Sequence, residues 1–244
     1  MNKIVFEVIG MGAKKYGGFE KYIVEEARQL KDKGYRLVVI FDREPLAKGY
    51  IADLEALDVA VEVLPQTSKL AFARGFRLLL KKYRPEIVHT NFSSNLFLAL
   101  PLSWFYGVKR RIATEHCLPP KDGFRSRLIT QTIIVVADMV LPVSNMSASN
   151  MKEAAFFGAN KIETLYLGVP DLQYDRDEVR RDLCIDQDQI ALMNIAYHNP
   201  VKGVDVLLKA LDIVVNKKDA RNLILFQIGG GQTGNDTETL HAQA

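Results

Sequence analysis

The sequence has few of the features that mark membrane-spanning, secreted or zinc-binding proteins. None of its apolar runs reaches the roughly 18 residues that a membrane-spanning helix needs. Its two cysteines, Cys117 and Cys184, are far apart and lack the spacing of a metal site, which excludes a disulfide scaffold and a zinc finger and favours a reducing cytoplasm. The first residues lead into an apolar run that ends at Gly10 without a cleavage site, so a first strand is expected rather than a signal peptide.

Apolar runs and helix-period segments alternate along the first two thirds of the chain. The 244 residues are 48% hydrophobic and 25% charged, a composition and length that suggest about one and a half domains. Near-continuous Val, Ile and Leu content predicts strands that are covered on both faces. The predicted strands are Ile4–Ile9, Leu37–Phe41, Val59–Leu64, Ile87–Thr90, Arg111–Thr114, Met139–Val143 and Lys161–Leu167. Apolar stripes predict helices from Phe19 to Leu30 and from Phe72 to Tyr83, and the alternation predicts a doubly wound α/β domain with a parallel sheet.

This rhythm breaks near Gly168 and starts again in a shorter second unit. The polar stretch 171–188 predicts a linker with a short helix around Arg176–Asp182. A strand at Ile190–Ala196, a helix at Gly203–Val215 and a strand at Asn222–Ile228 then form one β-α-β unit. The predicted organisation is therefore a Rossmann-like domain over residues 1–170, a linker over 171–188, and the start of an incomplete second Rossmann-like domain over 189–244. Since two or three strands cannot bury a parallel sheet, we expect the chain to be a fragment of a longer protein.

Three of the four histidines follow predicted strands. His89 ends the fourth strand, His116 follows the fifth, and His198 follows the first strand of the second unit. Ligands of open α/β sheets bind beyond the carboxyl ends of the strands, so these positions favour a shared cleft. Each histidine taken alone is more often a structural residue, which is the alternative.

A glycine-containing loop joins the first strand to the first helix. Lys15 stands where a dinucleotide fingerprint requires glycine, which argues against a nicotinamide-dependent oxidoreductase. The loop ends in Gly17 and Gly18 directly before the helix, where backbone amides and the helix dipole favour an anionic group. A mobile surface loop is the alternative. Glu20, in the first helical turn, could simply complement the dipole.

Lys202 lies in the corresponding turn of the second unit, at the amino end of the predicted helix. A cation opposes the helix dipole there unless an anion joins the two, so Lys202 is the preferred phosphate contact. A solvated lysine in an Asn-Pro turn is the alternative.

Basic residues are concentrated between Lys69 and Arg127. This segment holds twelve basic and three acidic residues, a net charge of +9, whereas the whole chain has +3. Four of the basic residues share one helical face and predict contact with a membrane surface or an anionic acceptor. They are Arg74, Arg77, Lys81 and Arg84. A solvated helix face is the alternative, and nucleic acid is a poorer explanation because no recognised binding motif is present.

The ordered set of motifs resembles the retaining glycosyltransferases of family four, which have the GT-B fold of two facing Rossmann-like domains. The motifs that carry this resemblance are Gly17-Gly18-Phe19-Glu20, Pro85-Glu86-Ile87-Val88-His89, Thr114-Glu115-His116, Val143-Ser144, Leu167-Gly168-Val169-Pro170 and Pro200-Val201-Lys202-Gly203. They cover residues 1 to about 231 in the family's order and spacing.

The resemblance implies sugar transfer, with retention of configuration, from a nucleotide-diphosphate sugar to a glycan or lipid-linked acceptor held by the first domain. It implies that His116 lies close to the reacting sugar as the catalytic residue. The implied donor contacts are Gly17, Gly18, His198, Lys202 and Gly230. The implied acceptor contacts are Glu20, His89 and Asn91. Neither a metal nor a resident cofactor is expected, and the implied location is cytoplasmic, with peripheral association at the inner face of the membrane.

Two departures from the family pattern limit what this chain is expected to do alone. Ala196 and Tyr197 stand where the family commonly has Gly-Arg, so the arginine that contacts phosphate is missing unless His198 partly replaces it. The family's later glutamate pair lies beyond the end of the chain. We therefore expect the parent enzyme to be active and the 244-residue chain to be inactive. A non-catalytic module that binds glycans or lipids is the alternative.

Overall fold

The computed structural model describes residues 3–13, 15–92, 96–116, 123–168, 173–198, 200–218 and 222–229. The chain forms two compact units, Met1–Val169 and Pro170–Ala244. The assignment of the first unit to the acceptor and of the second to the donor stays a prediction.

The first unit is built on a six-stranded parallel sheet with the order β3-β2-β1-β4-β5-β6. The strands are β1 Lys3–Ile9, β2 Tyr35–Phe41, β3 Ala60–Val63, β4 Ile87–Asn91, β5 Arg110–Glu115 and β6 Met139–Pro142. The order reverses beside β1, as in doubly wound sheets that bind ligands at this switch point. The predicted doubly wound α/β fold with a parallel sheet is confirmed for this unit.

Six helices cover the two faces of this sheet. They are α1 Gly18–Asp32, α2 Lys48–Ala56, α3 Lys69–Tyr83, α4 Ala99–Phe105, α5 Phe124–Val136 and α6 Asn145–Ala154. Because side chains alternate along a strand, Val5 packs in the core with α1 and α2, and its neighbour Phe6 packs in the core with α3 and α4. A third core cluster joins β5 and β6 to α5 and α6.

The second unit contains a short helix and one β-α-β unit within its described residues. Helix α7 spans Arg176–Asp182, β7 spans Ile190–Ile195, α8 spans Val204–Lys218 and β8 spans Leu223–Ile228. The two strands are parallel and in register from Ile190 opposite Leu223. The predicted elements of this unit are confirmed.

The strand prediction for Lys161–Leu167 is wrong. Lys161 ends a single 3-10 turn, and only Ile162 forms an isolated bridge, to Val140 of β6. The local reason is that the Lys161 ammonium donates to the carbonyls of Ile134, Val135 and Ala137 at the end of α5, at 2.8–3.1 Å. Beyond this turn the Glu163 and Leu165 amides donate to the Val140 and Pro142 carbonyls of β6 at 3.0 and 2.9 Å, so the segment lies beside β6 without forming a regular strand.

No helix within the described residues is both long and apolar enough to cross a bilayer.

Candidate functional site

The candidate site lies where β1, β4 and β5 end, beside the start of α1. The strand register places Glu7 opposite His89 and Asn91 opposite Thr114. His116 comes two residues after Thr114, at the end of β5. Parallel strands present their carboxyl ends at one edge, so the topology brings these polar side chains together.

Glu7 is the centre of a buried hydrogen-bond network. Its side chain is fully buried, and its two carboxylate oxygens accept from His89 Nδ1 and from Asn91 Nδ2. The other ring nitrogen of His89 lies 2.7 Å from Thr114 Oγ1. Asn91 Oδ1 lies 2.8 Å from His116 Nε2. A chain of hydrogen bonds therefore runs from the core of the sheet to the predicted catalytic histidine.

The electrostatics of this network keep a proton between Glu7 and His89. Burial, together with the nearby Glu26, raises the pKa of Glu7. Burial opposes the charged form of His89, but the carboxylates of Glu7 and Glu26 outweigh it and raise the pKa of His89 well above its usual range. The bridging proton is thus held tightly between Glu7 Oε1 and His89 Nδ1.

The pKa of His116 is shifted in the opposite direction, downward. Burial, and then the charge on His89, lowers the pKa of His116 to about 4. The imidazole is therefore neutral at pH 7. Its ring packs against Phe19, the second residue of α1, with a centroid distance of 5.0 Å, and against Phe92 at 4.6 Å. These contacts place His116 next to the amino end of α1.

The glycine pair at that helix end has local partners of its own. The Gly17 amide donates to Glu20 Oε2 at 3.0 Å, so Glu20 helps to cap α1. A Cβ on Gly18 would meet nothing within 4 Å, so the fold itself does not require glycine there. An absent side chain that packing does not require is consistent with close approach of a ligand to the backbone.

The structure brings six of the predicted residues to this edge. They are Gly17, Gly18, Glu20, His89, Asn91 and His116. Their individual roles stay predictions. His89 is 4% exposed and both its ring nitrogens have partners, so it could influence an acceptor only through its neighbours.

Sequence reasoning missed Glu7. The signal was a single acidic residue inside the apolar strand Lys3–Ile9, where an isolated buried charge would be costly. Such a residue needs a partner, and His89 on the adjacent strand provides it.

One group of side chains in the described part of the chain could hold a cation. Ligand atoms of Glu7, Glu26 and His89 lie within 4.8 Å of one another. His89 Nδ1 already donates to Glu7 within this group, so a proton makes the contact there. The expectation that no metal is required stays a prediction.

The second unit carries two of the predicted donor contacts. Lys202 is exposed and closes the turn Pro200–Lys202 directly before α8. The ring of His198 is buried, and neither nitrogen has a hydrogen-bond partner in the ranges that the structure describes. Gly229 needs to be glycine, because a Cβ would lie 2.2 Å from the Ala196 carbonyl oxygen and φ is +130°. Gly230 lies outside the described residues.

The predicted basic face lies on α3. All four of its residues, Arg74, Arg77, Lys81 and Arg84, are exposed. Lys81 and Arg84 line a groove of about 680 Å³ together with Lys109. Since α3 leads into β4 and Lys109 precedes β5, the groove lies at the amino ends of the strands. One strand length of about 17–20 Å separates that edge from the one that carries His116.

A comparison with family models identifies the first unit. Residues 16–171 match the model of Glycosyltransferase Family 4. The chain belongs to glycosyltransferase family 4. The match begins just before the glycine pair of α1 and includes His89, Asn91 and His116, whereas Glu7 on β1 precedes it. A search of curated protein sequences found no match to this chain.

Solved structures with similar folds include other glycosyltransferases. The Anabaena protein Alr3699/HepE in complex with UDP is 18% identical, with a TM-score of 0.73 over 99% of this chain and 65% of that chain. A glycosyltransferase from Rickettsia africae is 15% identical, with a TM-score of 0.64 over 97% of this chain and 70% of that chain. Acinetobacter baumannii MurG is 14% identical, with a TM-score of 0.57 over 98% of this chain and 62% of MurG. At these identities the likeness shows the fold, and the family 4 chain spans 65% of the length of HepE.

Replacing Gly18 with alanine separates a structural glycine from one that a ligand approaches. We expect Gly18→Ala to keep or slightly raise the free energy of unfolding, by up to about 1 kcal/mol, because alanine restricts the unfolded chain. If a donor diphosphate approaches the helix end, kcat/KM for the donor in the protein that carries the activity should fall by about tenfold or more, because the new methyl group blocks that approach. Urea unfolding and initial rates measure the two effects.

Gly49→Ala is the matched control. Gly49 lies in α2, where a Cβ would make an ordinary 3.6 Å contact with Tyr16. The Gly49→Ala variant should raise the free energy of unfolding by a similar amount and leave kcat/KM for the donor unchanged. Equal activity of the two variants would remove Gly18 from the donor site.

Proposed function

We propose that the chain is the acceptor-binding unit and the opening of the donor-binding unit of an enzyme that transfers a sugar from a nucleotide-diphosphate donor with retention of configuration. The family 4 match over residues 16–171 carries this proposal. The HepE structures in complex with UDP and with UDP-glucose support a nucleotide-sugar donor. A polysaccharide or a lipid-linked glycan is the proposed class of acceptor, and the cytoplasm the proposed location.

The chemistry proposed for this site is stabilisation of the leaving diphosphate. Charge develops on the diphosphate as the sugar departs, and preorganised amides and cations lower the barrier when they bind that charge more tightly than the ground state. Gly17, Gly18 and Lys202 are the proposed donor contacts, supplemented by His198. His116 is neutral near pH 7, so its ring can donate or accept a hydrogen bond with the sugar without adding a positive charge.

A donor screen tests this function. The 244-residue chain and the product of its whole reading frame would each be incubated with UDP-, GDP-, ADP- and TDP-sugars, and the released nucleoside diphosphate measured with and without lipid and glycan acceptors. We expect the longer product to turn over one donor and the 244-residue chain to turn over none. Rapid transfer by the 244-residue chain would contradict its proposed dependence on the later glutamate pair.

A non-catalytic module that binds glycans or lipids is the second candidate. Tyr197 in place of the family's arginine favours it, because a phosphate contact is missing. This candidate predicts saturable binding of a glycan or lipid with no release of nucleoside diphosphate from any donor. The same screen therefore distinguishes the two.

We further propose that the α3 face holds the protein at an anionic membrane surface. None of its four basic residues forms an ion pair with another described residue, whereas neighbouring Lys82 and Lys109 pair with Glu62 and Glu86. Trp104 and Phe105, 62% and 75% exposed at the end of α4, directly precede residues that line the same groove. Aromatic and basic side chains together are typical of surfaces that bind the lipid headgroup region.

Neutralising the α3 face should release the protein from anionic vesicles. Each basic residue near such a surface contributes about 1 kcal/mol, so we expect replacement of all four by glutamine to weaken binding at least tenfold at low salt. Co-sedimentation with vesicles of mixed neutral and anionic phospholipid measures the change.

A second quadruple variant removes the same charge from exposed positions elsewhere. These positions are Lys21, Lys31, Lys33 and Lys48. It should bind vesicles nearly as tightly as the wild type. Equal losses in the two variants would show that net charge, not the α3 face, is responsible.

A further inference from the structure

The position of Asn91 between Glu7 and His116 determines which atoms of the amide face which partner. Asn91 has one donating end and one accepting end, and each end is used in this network. When the Asn91 amide nitrogen donates to Glu7, the Asn91 amide oxygen faces His116 as an acceptor. If the amide turned over, His116 would face the donating nitrogen instead. The amide therefore transmits the hydrogen-bonding state of a buried carboxylate to the histidine at the surface.

The carboxylate oxygen that faces Asn91 can only accept. Glu7 Oε1 is taken by His89 Nδ1, and the bridging proton of the pair is held there. Glu7 Oε2 has no proton to give, so Asn91 must turn its amide nitrogen toward it. Asn91 Oδ1 then faces His116, and the 2.8 Å contact requires Nε2 of that ring to carry a hydrogen.

The other nitrogen of His116 is left as an acceptor. A neutral imidazole carries one hydrogen, and in this arrangement it is on Nε2. No described residue forms a hydrogen bond with His116 Nδ1. The two aromatic rings of Phe19 and Phe92 restrict the imidazole on its sides, so the ring is held both in its tautomer and in its orientation.

We propose that Glu7 is a positioning residue that acts through Asn91 to fix His116 as the Nε2–H tautomer, which presents Nδ1 to accept a hydrogen bond from a hydroxyl group of a bound sugar. The last part rests on the proposed function. The tautomer itself depends only on the residues of this unit.

The tautomer is measured by the ¹⁵N chemical shifts of the His116 ring in the full chain at pH 7. We expect wild-type Nε2 to show the shift of a protonated nitrogen and Nδ1 that of an unprotonated one. We expect Glu7→Gln to introduce a substantial fraction of the Nδ1–H form, because an amide at position 7 can donate to Asn91 and let it turn over. A wild-type Nδ1–H ring would overturn the proposal even if the variant does not fold.

Glu26→Gln is the matched control, since Glu26 lies 3.8 Å from His89 Nδ1 and has no hydrogen bond to Asn91. It should leave the tautomer of His116 unchanged. An equal change in both variants would show a general electrostatic effect and overturn the relay through Asn91. So would an Nε2–H ring that persists unaltered in Glu7→Gln.

A kinetic readout distinguishes this proposal from the proposed function. If transfer is observed, Glu7→Gln should lower kcat by at least about tenfold with little change in KM for the donor, because Nδ1 would carry a hydrogen and no longer accept from the sugar while the phosphate contacts remain. If the product of the whole reading frame turns over no donor, the proposed function fails and the tautomer result still stands. Unchanged kcat in a variant with an altered tautomer would overturn the link to the sugar.

Discussion

Replacing His89 with leucine should cost the first unit about 3–5 kcal/mol of its free energy of unfolding at pH 7, because Glu7 would remain buried without its partner. His89 and Glu7 are 4% and 0% exposed, so water cannot replace the lost contact. Asn91 alone would still donate to the carboxylate. Urea unfolding of the full chain measures the loss.

The loss should also depend on pH. Folding would hold the unpartnered Glu7 carboxyl in its neutral form, so its folded-state pKa would lie above the unfolded value of about 4.3. A group of this kind adds no penalty below the unfolded pKa and destabilises the fold progressively as pH rises through the folded pKa. The deficit of His89→Leu should therefore be larger at pH 8 than at pH 5.

A double variant, Glu7→Met with His89→Leu, removes both charges and should recover most of the lost stability. If His89→Leu were as stable as the wild type at pH 7, the buried pair would not be the organising feature of this sheet edge.

Replacing Lys202 with alanine should lower kcat/KM for the donor by about 10²–10³-fold in the protein that carries the activity. Lys202 is exposed at the start of α8, and within the described ranges its ammonium group has neither an ion-pair nor a hydrogen-bond partner. A lysine at a helix amino terminus is left unpaired unless an anion binds there. Because Lys202 is exposed, the variant should unfold at nearly the same urea concentration as the wild type.

Lys209→Ala is the control for this prediction. Lys209 is an exposed residue of the same helix and contacts Asp205 at 3.7 Å, a surface ion pair of little energetic consequence. Its removal changes the charge of the unit equally and should leave donor use intact. Unchanged kinetics of Lys202→Ala would exclude Lys202 from the donor site.

The fold was predictable where local pattern and tertiary environment agree. Strands β1 and β2 are continuous apolar runs because both their faces are covered, and α3 has a clear apolar stripe because one side faces solvent. Helix α5 was not delimited, because polar Thr130 and Gln131 are buried together with Ile133 and Ile134 and the polar residues therefore do not mark a solvent-facing side. The segment from Lys161 begins in a turn that the Lys161 contact with α5 stabilises, which local sequence does not show, and it then pairs with β6 only in part.

The sequence indicated where the candidate site lies on the sheet, but not which side chains contact one another there. Histidines and glycines that follow strands indicate the sheet edge at which these side chains meet, since that edge is a property of parallel topology. Glu7 was missed because its role depends on which strands are neighbours: His89 and Asn91 are more than eighty residues away in the chain. The sequence also does not show that His89 is buried and that Glu20 caps α1, because both depend on tertiary packing.

The proposed part of His116 in sugar transfer is tested by kcat/KM for the donor, compared between the protein that carries the activity and its His116→Ala variant. We expect a loss of about 10²–10⁴-fold in a variant that stays folded. A His116→Ala protein that transfers sugar within about twofold of the wild-type rate would contradict it.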